Sequence, residues 1–153
     1  MRDYADANGG GGAPTTPVNP SVEVIGFPCG NTWASHYGTP TVGAADFGIV
    51  LSGAASYGQA FLTISGQGDN WQGIPLPLNL DHLGMFGCNV WVGDGLVTQG
   101  SANGQGSVAL PVLIPNIPAL AGQDFFFQWL APKFGENPAN LVLSQGLRAV
   151  IGS

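Results

Sequence analysis

Charge is what this chain has least of. Only 12 of its 153 residues are charged, three basic against nine acidic, for a formal net charge of −6; a usual charged share is about 25%. Three basic side chains, Arg2, Lys133 and Arg148, cannot neutralise a phosphate backbone, and nucleic-acid binding is excluded on that ground. Long apolar runs are also missing: none reaches the ~18 residues a membrane helix needs, so no membrane span is expected. The opening stretch, MRDYADANGGGG, has no apolar h-region, and no signal peptide is expected within it, which does not by itself assign a cytoplasmic home. Helical periodicity is poor everywhere. No G-x-S-x-G elbow surrounds any serine. The one Asn-x-Ser sequence, Asn19-Pro20-Ser21, is disqualified as a glycosylation acceptor by its proline.

What is present is glycine, proline and apolar side chains. Glycine and proline number 25 and 12, close to low-complexity levels, yet 44% of residues are hydrophobic and 15 are aromatic, enough to fill one core. Residues 1–20 stand apart. Gly9 to Gly12 form a flexible piece, and the following Ala-Pro-Thr-Thr-Pro-Val-Asn-Pro is stiffer and extended, so the composition is that of an arm.

From Ser21 onward, short apolar runs alternate with Gly, Pro, Asn and Ser clusters. Candidate strands are 21–26, 46–51, 59–65, 74–80, 88–92, 107–114, 124–130, 141–143 and 147–151, several with period-two spacing, such as Val22/Val24 and Phe61/Thr63. A short helical turn is expected at Pro118–Ala121, with Asn116 as its N-cap and Gly122 ending it. The expected domain, residues 21–153, is all-β: an antiparallel β-sandwich, jelly-roll or Ig-like, of eight to nine short strands preceded by the Gly/Pro-rich arm. Pro75 and Pro77 mark 74–80 as an edge strand, with Ile74, Leu76, Leu78 and Leu80 together on the core face.

The candidates for chemistry are sparse. Cys29 and Cys88 have no third cysteine, CxxC spacing or histidine cluster beside them, which argues against zinc or redox roles. They are either a structural disulfide or two buried thiols. If they pair, the loop-entropy model gives roughly 4 kcal/mol for a loop of about 60 residues, and the bond implies an oxidising compartment. Ser35 and His36 are adjacent, and in an extended segment adjacent side chains diverge, so a triad is not expected. His82 follows Asp81 in a turn where Asp81 bonds nearby backbone. Asp3, Asp6 and Asn8 hold a fragment of a calcium-loop pattern without its closing glutamate, and a solvated arm is the better reading. The other carboxylates are scattered. No catalytic residue, metal site or cofactor is assigned. Trp91 and Trp129 lie in expected strands and belong to the core or an interface. Trp71, flanked by Asp69 and Asn70 in a polar loop, is the candidate for stacking on a sugar ring.

The ordered landmarks Phe27-Pro28-Cys29-Gly30-Asn31, Gly73-Ile74-Pro75-Leu76-Pro77-Leu78-Asn79-Leu80, Leu83-Gly84-Met85-Phe86-Gly87-Cys88 and Ile114-Pro115-Asn116-Ile117-Pro118-Ala119-Leu120-Ala121-Gly122 continue through Phe125-Phe126-Phe127-Gln128 and Asn137-Pro138-Ala139-Asn140 to Ser144-Gln145-Gly146-Leu147. This set resembles a small module found, often at the C-terminus, in secreted and surface proteins of planctomycete-type bacteria. The resemblance spans roughly 120 of the 153 residues. Two positions depart from the pattern: Asn79 stands where an Asp is common, and Ile117 replaces the Asp of PIPNDPAL, which weakens any metal role there. The resemblance implies an extracellular β-rich module, carries over no activity to this chain, and suggests Cys29–Cys88 as its internal bridge.

The function expected from these readings is a secreted structural subunit, not an enzyme, that assembles with copies of itself into an extracellular filament or surface layer. Few charges and many aromatics leave little polar surface for a solitary chain. An arm adding a strand to a neighbour, with Thr15, Thr16, Val18, Val22 and Val24 as its contacts, is the expected device. The alternative is a carbohydrate-binding or adhesive module that places Trp71, Asp69 and Asn70 against glycans. The expected location is extracellular or at the cell surface.

Overall fold

A computed structural model of the chain describes residues 16–153, so Thr15, the glycine run and the Asp3/Asp6/Asn8 cluster lie outside the described residues. Thirteen strands follow in order: β1 (Ser21–Ile25), β2 (Trp33–Tyr37), β3 (Gly48–Ser52), β4 (Gln59–Ser65), β5 (Asn70–Trp71), β6 (Ile74–Pro75), β7 (Leu78–Asn79), β8 (Asn89–Val90), β9 (Leu96–Ser101), β10 (Val108–Pro111), β11 (Asp124–Pro132), β12 (Leu141–Leu143) and β13 (Gly146–Val150). The described residues are nearly all-β, with antiparallel ladders in open sheets rather than a closed barrel and one isolated parallel bridge, Thr41 to Gly152. The main sheet runs β1-β13-β11-β4-β9, with β12 added to β11; the second runs β10-β3-β2.

These two sheets stack face to face. Alternation along β11 turns Phe127, Trp129 and Ala131 inward, against Phe47, Ile49 and Leu51 beside and within β3. The rings of Phe47 and Phe127 meet edge-on with centroids 6.2 Å apart. The indole Nε1 of buried Trp129 donates to the Val50 carbonyl at 3.1 Å, which satisfies its one polar group across the layers. Gln145, 1% exposed, makes a second bridge: its Oε1 accepts from Ala34 N at 2.9 Å and its Nε2 donates to Ala34 O at 2.8 Å.

Residues 66–95 form a third layer on the outer face of the main sheet, built from the small ladders β5/β6 and β7/β8. Buried Gln128 fastens it: Trp91 N donates to Gln128 Oε1, and Gln128 Nε2 donates to the Asn89 carbonyl, each at 2.9 Å. The Cys29–Cys88 disulfide, Cα atoms 5.0 Å apart, ties this layer to the segment just after β1.

The strand count exceeds the expected eight to nine for two physical reasons. The 74–80 run is not one edge strand: the cis Leu76–Pro77 bond lies between β6 and β7, and Ile74 is exposed while Leu80 is buried, so the shared core face does not form. In addition, β2, β5 and β9 were not expected, because WASHY, NW and LVTQGS carry little apolar alternation and owe their extension to pairing with β3, β6 and β4. The turn at 118–120 forms as a 3₁₀ segment. Its cap position is Ile117 rather than Asn116, and no side chain caps it.

Candidate functional site

The two seams of the sandwich are the places where the fold is least complete. Register places Val22 and Val24 of β1 opposite Ala149 and Leu147, both inward-facing, so both valines sit on the core face. Val22 is half-buried against the core, yet Val24 remains 59% exposed, because nothing among the described residues closes the sandwich beside it. On the opposite seam, Leu96 of β9 pairs with Ile64, which pairs with buried Phe127, so Leu96 also faces inward. It is 70% exposed.

The N-terminal segment docks at the periphery. Val18 N donates to Ser153 Oγ at 2.9 Å and Ser153 N donates to Val18 O at 3.1 Å, while Thr16 is exposed. β1 then runs antiparallel to β13 over five pairs, Ser21↔Val150 to Ile25↔Gly146. Arg148 locks it from the outer face, with Nη1 to Glu23 Oε1 at 2.6 Å and Nη2 to Asp124 Oδ2 at 2.7 Å. Hydrogen bonding to Glu23, then the bond to and charge of Asp124, raise the Arg148 pKa above its ordinary value. None of residues 16–28 belongs to the buried core, whose first member along the chain is Cys29. Gly26, with φ +73°, turns the chain out of β1 directly over the Trp91 ring, where a Cβ would collide with the indole.

The residues expected to meet a glycan are divided. Asp69 and Asn70 line an open hollow of mixed polarity with Gly66–Gly68, Phe126 and Arg148. Their side chains are already engaged locally: Asn70 Nδ2 donates to Asp69 Oδ1 at 3.0 Å, and Gly73 N donates to Asn70 Oδ1 at 3.1 Å. Gly68 lies so close to the Phe126 ring that the loop covers part of it. Trp71 belongs to a different cleft of about 420 Å³, with Ile74, Leu78, Leu80, His82, Leu83 and Val90. It is half-buried there, in a short strand rather than a loop.

The remaining titratable groups do not converge. His36 lies in β2 next to Ser35, and its ring packs at 6.1 Å from Phe47. His82 sits in the exposed turn 81–83, where Asp81 Oδ1 accepts from Gly87 N at 2.8 Å. Among the described residues, no three His, Cys, Asp or Glu side chains are placed to hold a metal ion. Sequence reasoning missed Arg148 as the lock on β1 and the two buried glutamines; an isolated Gln carries no pattern that announces which backbone it will satisfy. No protein-family model, curated protein or solved structure matches the chain.

Proposed function

We propose that this chain is a secreted, non-catalytic structural subunit that assembles with copies of itself into an extracellular filament or surface layer, by exchanging its N-terminal segment and β1 between neighbours. The observation that carries the reading is that none of residues 16–28 is fully buried and, of their hydrophobic side chains, only Val22 packs against the core, while the next residue, Cys29, is fixed by its bond to Cys88. The outermost strand therefore detaches from a point that stays fixed, and the core contact it gives up is chiefly that of Val22 beside Ala149. Received by the β13 of a neighbour, it remakes the same five-residue pairing and the same Glu23–Arg148 ion pair. Passed head to tail, such an exchange does not close and gives a filament. The disulfide supports an oxidising, extracellular setting, and three tryptic sites in 153 residues suit a durable polymer. The small extracellular module that the landmark residues resemble agrees with this reading.

The second reading, a carbohydrate-binding module, is favoured by the half-buried Trp71 in its 420 Å³ cleft. The cleft walls are aliphatic apart from His82, and the Asp69 and Asn70 hydroxyl-binding groups lie elsewhere, so it ranks below assembly.

The test is to image the concentrated chain beside a variant lacking residues 1–25. Filaments or sheets from the full chain, absent from the truncated one, are the expected result. A sharp monomer peak at high concentration with empty micrographs overturns the reading.

A further inference from the structure

β9 is the other edge of the main sheet, and it lacks the usual protections: Leu96–Ser101 contains no charge, no proline and no lysine. Ala102 N donates to Gly58 O at 2.7 Å, and Ser101 pairs with Gln59. In an antiparallel ladder this phase aims the amides of Leu96, Thr98 and Gly100 at β4, so those of Val97, Gln99 and Ser101 point away from the sheet. No strand among the described residues receives them.

Alongside this edge, the sandwich gapes. The tight connection after β9, in which Asn103 N donates to Ser107 O at 3.0 Å, carries the chain across to β10. The two strands then diverge, and between β9 and residues 112–115 an apolar cleft of about 220 Å³ reaches down to Phe47, Phe125 and Phe127. Its rim holds Leu96 and Leu113, each 70% exposed, and Val97 of the edge strand is 57% exposed.

We infer that this seam is a second self-association surface, occupied by the same seam of another copy related by a two-fold axis; the inference rests on the self-assembly reading and supplies the contact opposite β1. Two β9 strands running antiparallel satisfy each other's outward amides and carbonyls, so the surface is self-complementary. The rim leucines of each copy cap the cleft of the other. Charge favours the same occupant. Each copy carries −6, and none of the ten residues lining the cleft, nor any in β9, is charged, so like-charged copies meet here without a carboxylate in the contact. A weak but specific pair needs about 600 Å² per partner, under a tenth of the 7766 Å² surface of the chain. A six-residue edge about 20 Å long with a cleft mouth beside it is a face of that order.

The experiment measures sedimentation and hydrogen exchange of the full chain across a concentration series, with Leu96→Lys and Leu113→Lys variants. Both side chains are exposed, so the variants retain the fold. The expected result is that the Val97 and Gln99 amides of the native chain slow as concentration rises, and that each variant loses this slowing and associates about tenfold or more weakly. A native chain that associates while these amides exchange at one rate throughout overturns the inference and leaves strand exchange at β1 standing. A native chain that stays monomeric overturns both.

Discussion

Glu23 and Arg148 are register partners across β1 and β13, and the Arg148 Nη1 donates to the Glu23 Oε1 at 2.6 Å. This exposed pair is the only charged tie between the outermost strand and the rest of the sheet among the described residues. Removing it with Glu23→Gln is expected to leave the global unfolding midpoint nearly unchanged, since exposed ion pairs contribute little, while hydrogen exchange in 21–25 quickens. Native-state exchange checks it; equal acceleration throughout the chain counts against a separately opening β1.

Gln145 carries the opposite kind of bond. Its amide satisfies both backbone groups of Ala34 inside the sandwich. Gln145→Ala leaves the Ala34 amide and carbonyl unpaired and opens a void, with an expected loss of about 3 kcal/mol in urea denaturation. A loss under about 1 kcal/mol means that water or a shifted strand replaces the bridge.

Reduction of Cys29–Cys88 acts on the stability of the folded module. The released loop of about 60 residues lowers stability by roughly 4 kcal/mol on the entropy model, measured as a shift in denaturation midpoint with and without reductant. The third layer loses its tie to the segment after β1, although Gln128 still holds its backbone. If the midpoint does not move, the bond contributes nothing to the folded state.

Much of the fold was legible in the sequence because its core strands carry the signal that burial demands. The 59–65 and 141–143 runs are strands with the expected bounds, and 124–130 extends by only two residues. β9 was illegible for a physical reason: LVTQGS has adjacent rather than alternating apolar residues, since its inward Leu96 and outward Val97 are both exposed at an open seam. The cleft it borders depends on how far β9 and β10 diverge, which no local pattern encodes. The separation of Asn70 from Trp71 follows from alternation, since neighbours along the short strand β5 face opposite ways.

Trp71→Ala separates the second reading from the first. It empties one wall of the 420 Å³ cleft and is expected to lower thermal stability without changing the assembly state. Glycan-array binding by the native chain, lost in this variant, counts for a carbohydrate-binding role.

Salt offers a check on the charge argument. Copies bearing −6 each repel one another, so association is expected to strengthen from low salt to about 0.5 M as that repulsion is screened. Weakening with salt implies that the Glu23–Arg148 pair remade between copies outweighs the repulsion of their net charge.

The most direct measurement is sedimentation velocity of the full chain and of the chain lacking residues 1–25, each over a wide concentration range. The account predicts species well above the 15.6 kDa monomer for the full chain, growing with concentration, and nothing beyond a dimer for the truncated one. A full chain that sediments as a single 15.6 kDa species at every concentration contradicts it.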